Sequence, residues 1–151
     1  MARDTPLVEI TLRKYEKPYQ KDKREVMKKI CLSLGLLQPG DGRDVVVDML
    51  LVLEKARREK RQLTSVEIGK LVEESRKRYS LEMKGIAESN IRRQLKRLRD
   101  SMIIEKKENL YNLTEFGSLS EIFNSKIERF LIPQTVERIK EYLEELEKQD
   151  L

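Results

Sequence analysis

The sequence predicts a mainly α-helical protein with one small β-hairpin. Apolar residues recur at helical spacing in six separate stretches. One pair of short segments, 103–107 and 110–114, reads as strands flanking a tight turn at Glu108-Asn109. Breaks such as Gln38-Pro39-Gly40-Asp41-Gly42 separate the periodic stretches.

The elements follow in order. Residues 1–20 are polar, carry Pro6 and Pro18, and read as an arm, with a weak alternation over 7–12 that also allows a short strand. A helix is expected over 22–37, with Val26, Met27, Ile30, Leu34 and Leu37 as its apolar stripe. A second, over 43–61, is apolar nearly all round in its first half (Val45-Val46-Val47 through Leu53), which suits a core position. Thr64 and Glu67 have capping-box spacing and open a third helix, with Val66, Ile68, Leu71 and Val72 facing inward. The 80–88 connection has no clear pattern. Ser89 is a candidate N-cap for a fourth helix running to about Ser101, on which Ile91, Leu95, Leu98 and Met102 share one face. After the hairpin and Gly117, two terminal helices are expected, 119–131 with Ile122, Phe123, Ile127 and Phe130, and 136–149, separated by Pro133. The chain divides into an N-terminal arm and helix (1–42), a central block (43–118) and C-terminal helices (119–151).

Charge is unevenly distributed. Of 151 residues, 38% are hydrophobic and 39% charged, and the net charge is +5. Residues 1–43 hold 10 basic and 6 acidic side chains, residues 44–119 hold 17 and 13, and residues 120–151 hold 5 and 8. The body is therefore basic and the tail acidic, which suits a polyanionic partner for the body alone. The abundance of Lys, Arg and Glu is thermophile-like. Cys31 is the single cysteine, so no intramolecular disulfide forms; a cytoplasmic setting is expected. No stretch approaches a membrane span, and no membrane partner is expected.

Helix, helix, helix, hairpin over 43–117 is the winged helix-turn-helix order, here with N- and C-terminal helical extensions, and its third helix is the reading helix. At about 100° per residue, Ile91, Leu95 and Leu98 fall in one arc. Ser89, Arg93 and Lys96 lie opposite, flanked by Asn90, Arg92 and Arg97, with Arg99 near the boundary. Such a face suits a major groove: Arg pairs with guanine, Asn90 with adenine, and any of the cations with phosphate. Ser89 and the first-turn amides are further phosphate ligands. The run Lys55-Ala56-Arg57-Arg58-Glu59-Lys60-Arg61 reads instead as a solvated helix end.

The segment Ile86-Ala87-Glu88-Ser89-Asn90-Ile91-Arg92-Arg93-Gln94-Leu95-Lys96-Arg97-Leu98 resembles the turn and recognition helix of prokaryotic winged-helix transcription regulators. The stretch 103–117, closing with Tyr111-x-Leu113-Thr114-x-x-Gly117, is similar to their wing. The MarR-like and PadR-like groups of archaea and bacteria are the nearest in pattern, and the resemblance covers about half the chain. It implies a transcription regulator that binds double-stranded DNA, with Lys106, Lys107 and Asn109 supporting from the wing, and that dimerises through terminal helices. The stripe Val136, Ile139, Leu143 and Leu146 has the narrow seam a helix needs to pair with another. An alternative is a winged-helix protein–protein interaction module within a transcription or replication assembly.

Catalysis is not expected. The chain has no histidine to serve as a base or metal ligand. Cys31 reads as core, and Pro39-Gly40-Asp41-Gly42 reads as a turn rather than a phosphate loop. No cofactor or metal is expected, and no residue pattern identifies a small-molecule effector.

Overall fold

The computed structural model describes residues 4–19 and 22–149. In chain order these form α1 (Lys23–Ser33), α2 (Val45–Arg58), α3 (Ser65–Arg78), α4 (Glu88–Asp100), β1 (Ile104–Lys107) and β2 (Leu110–Leu113). A 3-10 turn (Thr114–Phe116), α5 (Leu119–Ile122), a π-helical stretch (Phe123–Leu131) and α6 (Ile132–Lys148) follow. The architecture is mainly α with one antiparallel hairpin, as the sequence predicts.

One hydrophobic core joins these elements, and α6 meets it only through the half-buried Ile132 at its start. Its centre is α2, where Val45, Val46, Val47, Met49, Leu50 and Leu53 are all buried, as an all-round apolar helix requires. Residues 7–12 form no strand. The arm is instead held against the end of α1: the Arg13 N–H donates to the Ser33 carbonyl (2.8 Å). Its guanidinium donates to the carbonyls of Leu32 (2.7 Å) and Leu37 (3.2 Å) and to Gln38 Oε1 (2.6 Å).

The buried face of α1 is Arg24, Met27 and Cys31, so the expected stripe is displaced and Val26 sits at an exposed edge. The helix ends in a Schellman motif, with Leu36 N–H on the Cys31 carbonyl and Gly35 N–H on that of Leu32. Gly35 has φ +72°, and a Cβ there would stand 2.4 Å from Thr11 Cβ. The stops of α2, α3 and α4 use the same bonding around Lys60, Ser80 and Met102, at φ 55°, 53° and 64°. Non-glycine residues seldom adopt that conformation, which is why these stops carry no sequence signal.

Thr64 and Glu67 form the expected capping box, with bonds of 3.1 and 2.9 Å. Backbone and hydroxyl donors from Thr64 hold the Glu67 carboxyl below its usual range. Ile68 and Val72 are buried, but Val66 is exposed at the solvent side of the first turn. The hairpin pairs Ile104 with Leu113 and Lys107 with Leu110, leaving Glu108-Asn109 as its turn. Leu63, between α2 and α3, exchanges two backbone hydrogen bonds with Tyr111 (3.0 and 2.7 Å) and adds a third extended segment beside β2.

Pro133 does not separate two helices. A second capping box, Ser118 with Glu121, starts α5, and the backbone stays helical from there through Leu131 and Ile132 into α6. Leu119, Phe123, Ile127 and Leu131 recur every four residues. On an α-helix that spacing drifts by about 40° per step. Of this row Ile127 and Leu131 are buried and Leu119 and Phe123 half-buried, so it faces the core through the π-helical stretch. The proline, which has no N–H to donate, falls where the α register resumes.

An ionic cluster locks the helices together. Asp48 on α2 is fully buried and Arg76 on α3 is 2% exposed. Arg76 Nη1 donates to Asp48 Oδ2 (2.6 Å) and Asp44 Oδ1 (3.0 Å), and its Nε donates to the Glu82 carbonyl (2.6 Å). Arg24 on α1 reaches the same two aspartates at 3.1 Å. Burial pushes the Asp44 carboxyl up, but the charges and hydrogen bonds of Arg24 and Arg76 outweigh it and hold the group below its usual 3.8. Stability from Asp44 is therefore complete above 3.8 and is lost as pH falls toward the lower, folded value. Removing one partner of a buried pair strands the other charge, at a cost of about 3–5 kcal/mol. Arg76→Ala is expected to lose that much in urea unfolding at pH 7, and its deficit relative to the parent chain should narrow below pH 3.8. A full-sized deficit at acid pH would contradict the assignment.

Candidate nucleic-acid interface

The helix α4 is two-faced because its sequence is. Ile91, Leu95 and Leu98 are buried against α3 and β1, each at spacings of three or four. Ser89, Arg92, Arg93, Lys96 and Arg99 are exposed. Two cations of this face are paired with acids at its ends. Arg92 donates to Glu88 (2.6 Å) and Lys96 to Asp100 (3.0 Å). Exposed pairs at this spacing contribute only about 0.3–0.5 kcal/mol, so an incoming phosphate can displace the carboxylates.

Two residues expected on this face have other roles. Asn90 is half-buried: its Nδ2 donates to the Gly85 carbonyl (2.7 Å), and its Oδ1 accepts from Arg93 (3.3 Å) and Gln94 (3.4 Å). Its amide is thus committed to the turn before the helix, where Gly85 has φ +84°. Arg97 is also half-buried. It donates to Gln94 Oε1 (2.8 Å) and to the Gly35 carbonyl (3.1 Å), tying α4 to the loop that follows α1. Ser89 is not the N-cap. That position is Ala87, which offers no side-chain acceptor, and Ser89 lies one residue inside the helix.

The 79–87 connection is held from both sides, by Arg76 through Glu82 and by Asn90 through Gly85. On the hairpin, Lys106, Lys107 and Asn109 are exposed, and Glu108 at the tip adopts φ 59°. Lys106 Nζ lies 5.6 Å from the Tyr111 ring centroid, a weak cation–π contact at an exposed site. The hairpin follows α4 directly and packs on it through β1.

The other basic run is internally committed. Glu54 accepts from Arg57 (3.3 Å), Arg58 (3.0 Å) and Lys23 (3.4 Å), and Arg61 pairs with Glu59 (3.4 Å). Cys31 is fully buried, and burial pushes its thiol up to about 12, so the nucleophilic thiolate does not form at neutral pH. Among the described residues, no group of three or more His, Cys, Asp and Glu is arranged to hold a metal ion. No helix among them is long and apolar enough to cross a membrane.

No family model matches this chain, and no curated protein or solved structure matches it.

The roles of Asn90 and Arg97 are directly testable. Each is expected to lower stability by about 1 kcal/mol when replaced by Ala, the size of a lost partly buried hydrogen bond. Urea midpoints indistinguishable from the parent chain would return both side chains to the free face.

Proposed function

We propose that this chain is a winged-helix transcription regulator that binds double-stranded DNA through the outward face of α4. The observation that carries the proposal is the split of that helix. Three buried aliphatic side chains anchor one side, and Ser89, Arg92, Arg93, Lys96 and Arg99 stand exposed on the other. The order α2, α3, α4, hairpin supports the fold part of the reading, together with the Leu63–Tyr111 pairing that adds a third extended segment beside the wing. The turn, α4 and wing segments are similar in pattern to those of the MarR-like and PadR-like regulators. Function still rests on the site, because one fold hosts many activities.

In this reading α4 enters the major groove. Arg92, Arg93 and Lys96 neutralise phosphates or pair with guanine edges, and Ser89 with the uncapped first turn meets a phosphate. Lys106, Lys107 and Asn109 contact the backbone from the wing. The protein acts in the cytoplasm as a homodimer through the α6 stripe, so two α4 helices meet half-sites roughly 34 Å apart. Occlusion of a promoter is the simplest physical route to regulation.

Fluorescence anisotropy of a labelled duplex at several salt concentrations tests this. Non-specific binding with Kd of roughly 10⁻⁴ to 10⁻⁶ M, weakening steeply with salt, is expected. Replacing Arg92, Arg93 and Lys96 together with Ala should weaken binding and lower the salt slope by about 2 to 3. Absence of binding at low salt would favour a protein-docking role for the basic face. Unchanged affinity and slope in the triple variant would remove α4 from the interface.

A further inference from the structure

A helix reads base edges only with the donors and acceptors it leaves exposed. In the major groove guanine offers two acceptors, O6 and N7, to a guanidinium or ammonium group. Adenine is read by a side-chain amide that donates to N7 and accepts from N6, and thymine by an apolar group against its methyl. The exposed side chains of α4 are one serine (Ser89), four cations (Arg92, Arg93, Lys96 and Arg99) and an acid at each end. No amide and no aliphatic side chain is exposed on this helix.

Both amides of α4 are half-buried and engaged within the protein. Asn90 Nδ2 donates to the Gly85 carbonyl (2.7 Å), and Asn90 Oδ1 accepts from Gln94 Nε2 (3.4 Å). Gln94 Oε1 in turn accepts from Arg97 Nη1 (2.8 Å). The donor and the acceptor that adenine requires are therefore occupied on both residues. Turning Asn90 outward would also release the turn that leads into the helix.

The exposed cations differ in how free they are. Arg92 and Lys96 are held by Glu88 (2.6 Å) and Asp100 (3.0 Å). Arg93 has no acidic partner among the described residues, and its side chain makes only a long hydrogen bond to Asn90 Oδ1 (3.3 Å). It also lies opposite the buried row and within the first two turns, the part of a reading helix that meets base edges. We infer that Arg93 reads guanine through O6 and N7, so the duplex this face prefers carries guanine, not adenine, in the contacted groove. This assignment rests on the DNA reading above and adds which base α4 recognises. Glu88, in the first turn, accepts from cytosine N4 in the same scheme, so both signs of charge at this end of the helix address a G·C pair.

The test is fluorescence anisotropy of the full chain with three labelled duplexes of equal length at matched salt. One contains only G·C pairs in mixed order, the second is the same duplex with 7-deazaguanine in place of guanine, and the third contains only A·T pairs. The 7-deaza base lacks N7 but keeps base pairing, the minor groove and the phosphates, so backbone and wing contacts are common to the first two. The G·C duplex is expected to bind at least about five-fold more tightly than either of the others, the low end of what one bidentate pair discriminates. The salt slope is expected to be the same for all three, because the phosphates are. Arg93→Ala, checked for folding by circular dichroism, is expected to bind the natural and 7-deaza duplexes equally. If the parent chain binds those two alike, or the A·T duplex as tightly as the G·C duplex, guanine readout is overturned while DNA binding stands. If Arg93→Ala still distinguishes guanine from 7-deazaguanine, the assignment to Arg93 is overturned. If none of the three duplexes binds at low salt, the DNA reading fails and guanine readout falls with it.

Discussion

The buried aspartate on α2 is the constraint on which the rest of the molecule depends. Asp48 has no access to water, so its charge is tolerable only with partners on every side. Those partners come from α1 (Arg24) and α3 (Arg76), which fixes how both helices lie on α2. Arg76 also donates to the Glu82 carbonyl, and so holds the connection that delivers the chain into α4. Apolar packing is non-directional and does not by itself fix helix orientation. The hydrogen bonds from two guanidinium groups on separate helices to Asp48 are directional and add that constraint.

Much of this fold was legible in the sequence because the signals were local. The capping box at Thr64 and Glu67, the two-residue hairpin turn, the all-round apolar start of α2 and the two-faced α4 are patterns within a few residues, and each stands where the pattern puts it. What was hidden is non-local or lacks a composition cue. Lys60, Ser80 and Met102 end helices in a conformation that usually advertises itself with glycine. Pro133 reads as a break because a proline has no N–H to donate, and no composition cue marks the helical stretch that runs into it. The Leu63–Tyr111 pairing joins residues far apart in the chain, and one residue is too short a strand to show a period.

The candidate site divides in the same way. The outward placement of Ser89, Arg92, Arg93 and Lys96 follows from helical periodicity alone. Asn90 and Arg97 share that periodicity only in part, and a wheel cannot tell a flank that faces solvent from one that meets a loop. Their partners, Gly85 and Gly35, accept through backbone carbonyls, which carry no side-chain signature. The consequence is a smaller but firmer face: its charges are presented by a helix whose own position is held at the turn by Asn90 and toward α1 by Arg97. The acidic α6 is left uncovered by the core, so the proposed division of labour assigns the basic face to DNA and the acidic helix to a second copy of the chain.

The central claim is that the outward face of α4 lies against duplex DNA, and a cleavage probe tests it most directly. Cys31 is buried and its thiol unreactive, so Ser89→Cys provides a single accessible attachment point for an iron chelate. Cuts in a bound duplex are expected to concentrate at the groove that α4 enters, and to be suppressed by salt as binding weakens. Intact duplex, under conditions where the labelled protein is bound, would place α4 away from the DNA and contradict the claim.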